Sequence, residues 1–305
     1  MSNSGEEKNL IGKRIGIFGK GGSGKSTVAV LLAMALRDQG YHVCLLDADS
    51  TNVGLAQALG FEQTPETLLE YFGGMVFSGG AVTCPVDDPT LLPGADIYLD
   101  KIPPQFFIQK DEITLLTAGK IGGLGPGAGC DGPVSKIARD LHIHMEEEPV
   151  VTLVDFKAGF EDTARGAITS LDWAIVIVDP TRAAIEMASD MHKMVTRMKS
   201  FELPATMHLD TPELVDLANS IFLQARIKGV LTILNKIPST EMENYLRIAL
   251  LERGLEPIGV IHEDSTFTIS WLKGKSLALN NVEQVIQQVV KRLEAEEVAY
   301  EAQLF

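Results

Sequence analysis

Short, nearly continuous apolar runs alternate with longer stretches of helical character along most of the chain. Residues 13–18, 41–46, 112–118, 150–155, 172–180, 228–238 and 257–264 each carry a run of strand length, dense in Val, Ile and Leu. Strands that are apolar on every position, not on alternate ones, are those covered by helices on both faces, as parallel sheets are. The intervening helices are expected at 27–36, 134–145, from 181 onward, within 203–225 and at 282–302. The last carries Val282, Val285, Ile286, Val289, Val290 and Leu293 on one face and Glu294, Glu296, Glu297 and Glu301 on the other. Met187, Met191, Met194 and Met198 share one helical face, which reads as core or a dimer seam. His142 and His144 stand two apart, and a helix there would separate them. The expected architecture is one α/β domain over residues 1–305, with a doubly wound, mostly parallel sheet. Residues 60–112 break the alternation with many Gly and Pro and are expected to form an irregular insertion serving function or interaction.

The first strand runs straight into Gly19-Lys20-Gly21-Gly22-Ser23-Gly24-Lys25-Ser26-Thr27, which fits the phosphate-cradling pattern G-x-x-x-x-G-K-[ST]. Glycines let backbone N–H groups close around phosphate oxygens. Lys25 is placed to reach the β- and γ-phosphates and Ser26 to offer its hydroxyl to Mg²⁺. The apolar helix that follows turns its positive N-terminal end to the anion. Strand, loop and helix in that order make nucleotide binding, with ATP or ADP and Mg²⁺, the expected chemistry.

Other chemistry falls at the carboxyl ends of the expected strands, the edge where open α/β sheets bind ligands. Asp47 and Asp49 end the second strand, and two acids beside a phosphate cradle point to Mg²⁺ and water management. Asp155 ends another strand and is expected to hold Mg²⁺ or its water. Gly159 can present a backbone N–H to a γ-phosphate without side-chain obstruction. Asn235, followed by Lys236, offers the donor and acceptor that pair with adenine.

Lys20 makes the loop K-G-G-x-G-K-[ST], which resembles the deviant P-loop of the MinD, ParA, ArsA and nitrogenase-iron-protein group of ATPases. In that group two protomers sandwich two ATP molecules and this lysine reaches the partner's phosphates. The resemblance extends to the D-x-D segment, where it makes Asp49 the residue that orients the attacking water and Asp47 a more structural partner. It extends to the D-x-x-A-G switch at Asp155–Gly159, and to Asn235 and Lys236 at the base. Residues 257–264 are similar to the group's segment on the other side of the base, with His262 where proline is usual and Asp264 after it.

The order of features from Pro89 to Pro133 resembles the CooC-type accessory ATPases of carbon monoxide dehydrogenase maturation. Those proteins place a C-x-C pair at the dimer interface to hold a metal. Here a glycine-rich loop at 119–133 keeps Cys130 but has Gly132 in the place of the second cysteine. Two protomers would then supply two thiolates, too few for a closed four-cysteine zinc-type site, so Ni²⁺ or Zn²⁺ at Cys130 is an open question. The resemblance implies an Mg²⁺-dependent ATPase that cycles as a homodimer on a metalloenzyme client. A metal-independent positioning or cargo-binding switch is the alternative. An electron donor with Cys84 and Cys130 bridging a cluster is a weaker one, since Cys84 sits in no matching motif.

Charge and cysteine usage narrow the partners. With a formal net charge of −15 over 305 residues, neither non-specific nucleic-acid binding nor attachment to an anionic membrane is expected. Three scattered cysteines, a polar acidic start and no apolar run of spanning length point to a cytoplasmic protein.

Overall fold

The computed structural model describes residues 8–120, 130–145 and 150–303. Strand β1 (Arg14–Gly19) is buried at every position and feeds α1 (Lys25–Asp38). Strand β2 (Val43–Ala48) is followed by two single-turn helices, α2 (Leu55–Ala58) and α3 (Leu68–Tyr71). The insertion between them and the next core strand holds only 3₁₀ turns, the short β3 (Asp96–Tyr98) and β4 (Phe107–Lys110). The regular alternation then resumes with β5 (Ile113–Thr117), α4 (Gly132–Asp140), β6 (His142–His144) and β7 (Val151–Phe156). After the single turn α5 (Glu161–Ala164) come β8 (Trp173–Val178), α6 (Arg182–Lys199), α7 (Pro212–Leu223) and β9 (Gly229–Ile237). The chain closes with α8 (Thr240–Leu251), β10 (Pro257–His262), α9 (Ser265–Leu272) and α10 (Glu283–Ala302).

Eight strands form one sheet in the order β10-β9-β8-β1-β7-β2-β5-β4. Every pairing in it is parallel except that of β4 with β5. Apolar side chains fill both faces: α1 and α10 cover one, and α4, α6 and α8 the other, which is why the strand sequences show no polar alternation. From β1 the chain winds outward past β7 to β2, and later from β7 back past β1 to β8. That reversal places a crevice at the carboxyl ends of the central strands, where α1 begins. Register brings the acids there together: Asp47 of β2 lies beside Asp155 of β7 on one side and Thr117 of β5 on the other.

Two expectations change. The helix expected at 134–145 ends at Asp140, and His142 and His144 lie on strand β6. Period two puts the two histidines on one face after all, but they do not converge on a ligand: His142 contacts Arg226 and His144 faces Asp96. The helix expected within 203–225 is α7, begun by Thr211 and Pro212, with Thr211 accepting from the backbone N–H of Leu214. Glu297, assigned to the solvent face of the last helix, is fully buried. It accepts a hydrogen bond from the indole of Trp173 at 2.8 Å and ion-pairs with Lys13 at 2.6 Å and with Lys228. Burial alone would raise its pKa, but these donors bring it down to about 2.

Candidate functional site: a phosphate-binding cleft and its link to a thiol loop

The loop between β1 and α1 is braced from β9. Gly24 sits at φ 90° as the residue before α1, and any side chain there would strike the amide of Asn235. Asn235, itself buried, donates from Nδ2 to the carbonyl of Ser23 at 2.7 Å, and Lys236 Nζ donates to the carbonyl of Gly22 at 2.8 Å. The loop thus opens onto a cleft of about 440 Å³ lined by Gly21, Gly22, Gly24, Lys25, Ser26 and Thr27 together with Asp49, Asn52 and Lys236. Ser23 is fully buried and shapes the loop from beneath.

The acids meet the loop at its first helical turn. Ser26 Oγ donates to Asp155 Oδ2 at 2.6 Å and accepts from Asn52 Nδ2 at 2.8 Å. The other oxygen of Asp155, Oδ1, is buried with no hydrogen-bond partner. Burial, only partly offset by the Ser26 hydroxyl and reinforced by the charge of Asp47, pushes Asp155 up to about 7. Asp47 is likewise pushed up by burial, to about 6, against the pull of Lys120, whose Nζ lies 2.7 Å from its Oδ2. An orphaned carboxylate oxygen beside a serine hydroxyl is a hard oxygen donor set, and it fits Mg²⁺. Asp49 turns one oxygen, Oδ1, into its own bend, accepting from the backbone N–H of Thr51 and Asn52 and from the Thr51 hydroxyl.

Switch-like segments touch the cradle directly. Gly159 does not present a free N–H: it donates to the carbonyl of Gly19 at 3.2 Å, holding the segment after β7 against the loop. Lys20 is exposed and does not line its own protomer's cleft. His262 and Asp264 are not brought into the cleft either. His262 bonds the carbonyl of Ile237 through Nδ1, and Asp264 caps α9 by accepting from Thr266 N. The helix that Asp264 starts delivers a residue that sequence reasoning missed: Trp271 lines the cleft, its indole donating to Thr27 Oγ1 at 2.9 Å. Asn52 and Lys120 were missed as well. The signal for Lys120 was its place directly after the β5 strand; a lone tryptophan in a short helix gives none.

Both described ends of the glycine-rich loop are tied to these same segments; residues 121–129 lie outside the described part. At one end Lys120 holds the side chain of Asp47 and the carbonyl of Asp49. At the other, Asp131 accepts from the hydroxyl of Ser50 and from Lys157 Nζ, which lie just past Asp49 and Asp155 respectively. Burial would raise Asp131, yet Lys157 and Ser50 hold its pKa below the usual range. Cys130, next to it, is half-buried. Gly132 opens α4 pressed against Cys84: a Cβ at 132 would lie 2.6 Å from the Cys84 sulfur. Among the described residues no group of three or more His, Cys, Asp or Glu gathers in a way that would hold a metal within one chain.

A parallel doubly wound sheet whose first strand delivers a glycine-lined anion cradle, with a serine–aspartate pair beside it, defines a P-loop nucleotide-binding protein. Residues 17–277 match the model of the CobQ/CobB/MinD/ParA nucleotide binding domain, and the chain belongs to that family. It is 32% identical over 184 residues to an uncharacterized ATP-binding protein of Methanocaldococcus jannaschii, covering 59% of this chain and 72% of that one. It is 30% identical over 179 residues to the carbon monoxide dehydrogenase accessory protein CooC of Rhodospirillum rubrum, covering 58% and 67%. The fold is similar to that of the septum site-determining protein MinD of Pyrococcus horikoshii complexed with Mg-ADP, with a TM-score of 0.55, 18% identity and 92% and 95% coverage. No helix among the described residues is long and apolar enough to cross a membrane.

Proposed function

We propose that the protein is an ATP hydrolase working as a nucleotide-switched homodimer, and that its nucleotide state is delivered to the thiol-bearing surface around Cys130 for handling a soft metal in metalloenzyme maturation. The observation that carries this reading is the double anchoring of the loop. Lys120 reads Asp47 and Asp49, while Asp131 reads Ser50 and Lys157. The two segments that carry the cleft's acids, Asp47–Ser50 and Asp155–Lys157, are therefore each held by a hydrogen bond to an end of that loop.

In this scheme Lys25 and the loop's backbone N–H groups hold the phosphates, and Ser26 and Asp155 hold Mg²⁺, which supplies charge neutralisation when bound. Asp49 positions the attacking water. Lys20, turned away from its own cleft, fits a role on the partner's nucleotide, where a cation offsets charge that builds up in the transition state. Asn235 braces the loop through Nδ2, so reading of adenine would use its amide oxygen and its second N–H. The Gly159–Gly19 bond must open if Gly159 is to meet a γ-phosphate, which makes that bond a natural toggle.

The metal arm of the proposal rests on Cys130 joined by Cys84. Cys84 occupies the space a second cysteine at 132 would have filled, and Cys130 lies two residues before that point. Two chains would bring four thiols, the number a closed soft-metal site needs. The similarity to an accessory protein of carbon monoxide dehydrogenase supports a nickel-enzyme client. Sizing of the protein with ADP and with ATP, followed by Ni and Zn analysis of each pool, tests the whole. A larger, metal-bearing species with ATP is expected, and a single monomer free of metal under both conditions defeats it. A metal-free ATP dimer would select the metal-independent switch instead.

A further inference from the structure

Helix α9 buries none of its residues fully and is held down along one face. Phe267 and Trp271 stand four apart, hence on that face, and both pack against the apolar cluster that α1 and α10 share. Trp271 is half-buried, and its ring is placed from two sides. The indole N–H donates to Thr27 Oγ1 at 2.9 Å. On the other side, a Cβ built on Gly54 would meet Cζ3 of the six-membered ring at 3.4 Å. Part of the side chain still lines the nucleotide cleft, together with Gly24, Thr27 and Lys236. Thr27 lies in the first turn of α1, two residues beyond Lys25, so the indole stands beside the phosphate cradle and not within it.

The rest of the cleft is suited to phosphate and its cation. Gly21, Gly22 and Gly24 offer backbone, Lys25 a charge, and Ser26, Asp49 and Asn52 polar side chains. A nucleoside needs something else, a flat apolar surface for its base. Among the described residues that line the cleft, Trp271 is the one aromatic side chain. The other groups expected near the base do not supply such a surface. His262 bonds the carbonyl of Ile237, Asp264 caps α9, and Asn235 spends an amide N–H on Ser23.

We propose that Trp271 is the stacking platform for the nucleoside part of the bound nucleotide. The bond to Thr27 and the packing on the apolar cluster hold the ring in place before the ligand arrives, so little ordering cost falls on binding. The role rests on the cleft binding a nucleotide, and it gives the short helix α9 a purpose that its exposed position otherwise lacks.

Calorimetry on the full-length protein, with Mg²⁺ and either ADP or pyrophosphate as probe, tests the platform. Pyrophosphate reports on the cradle alone, and ADP on cradle and platform together. Trp271→Leu keeps apolar bulk under the helix but removes the aromatic face. It is expected to weaken ADP by about tenfold, within the range that stacking a base on an aromatic side chain contributes, and to leave pyrophosphate within about twofold. Trp271→Phe loses the N–H but keeps an aromatic face, and it is expected to recover most of the lost ADP affinity. Retained pyrophosphate binding shows that the loop is intact in each variant. ADP affinity unchanged in Trp271→Leu overturns the proposal, because packing alone would then suffice. An equal loss for ADP and pyrophosphate overturns it too, because Trp271 would then act on the cradle through Thr27. Failure of Phe to do better than Leu has the same force. A wild type that binds neither probe would instead defeat the nucleotide cleft itself, so the two readings fail separately.

Discussion

The sulfur of Cys84 stands where a side chain at position 132 would have to go, 2.6 Å from a Cβ placed on Gly132. Glycine at 132 and cysteine at 84 therefore presuppose one another. If the two thiols act together, Cys84→Ser should weaken Zn²⁺ or Ni²⁺ binding about as much as Cys130→Ser does. Each is expected to lower affinity at least tenfold in an anaerobic titration with ATP present. Binding unchanged by Cys84→Ser would remove Cys84 from the site.

The two lysines of the phosphate loop should separate cleanly. Lys25 lines the cleft and is buried, so Lys25→Ala is expected to lower ATP affinity about 100-fold, or about 2.7 kcal/mol. Lys20→Ala should leave affinity within about threefold while lowering kcat by about 10³, the scale seen for in-trans cations. Turnover near wild type in Lys20→Ala would exclude a role across the dimer.

Asp131→Asn keeps the shape at the start of α4 but removes the charge that holds Lys157. Alkylation of Cys130 should differ in rate between the ADP and ATP states of the wild type, and that difference should vanish in the variant. Hydrolysis itself should stay within a few-fold. A persistent nucleotide-dependent rate difference in Asp131→Asn would show that the loop is governed by some other contact.

Buried acids give Mg·ATP binding a defined pH dependence. Asp155, held at about 7, must lose its proton to meet a cation. Affinity should thus fall as pH drops from 8 to 6, approaching tenfold per unit below 7. Asp155→Asn should flatten this slope and weaken binding throughout. Without a cation the sign is opposite. Asp155 and Asp47, raised to about 7 and 6, keep protons in the folded state that the unfolded chain has released. These two groups therefore make the fold progressively less stable between about pH 4 and 7, and thermal melts with and without Mg·ATP should diverge as pH rises.

Much of this was legible because it is local. The loop from Gly19 to Thr27 announces itself in nine consecutive letters, and uninterrupted apolar strands imply a sheet covered on both faces. What escaped depends on tertiary register. Glu297 looked solvated because Glu294, Glu296 and Glu301 surround it in the sequence, yet Lys13, Trp173 and Lys228, at the starts of the adjacent strands β1, β8 and β9, all reach it. The helix ending at Asp140 was over-extended because His142-Ile143-His144 pairs with β3, a partner inside an insertion that has no periodicity of its own. Asn52 and Trp271 reach the cleft from a bend and from a helix far along the chain, and neither stands in a motif.

The chain has two tryptophans, and they occupy opposite ends of the sheet. Trp173 is sealed at the start of β8 against Glu297, while Trp271 hangs over the phosphate loop with its indole on Thr27. The molecule thereby carries a built-in optical gauge: emission from Trp271 should respond as the cleft fills, and the buried indole should contribute a steady background. Arrival and departure of nucleotide can be timed in the unlabelled protein, with Trp271→Phe as the silent control.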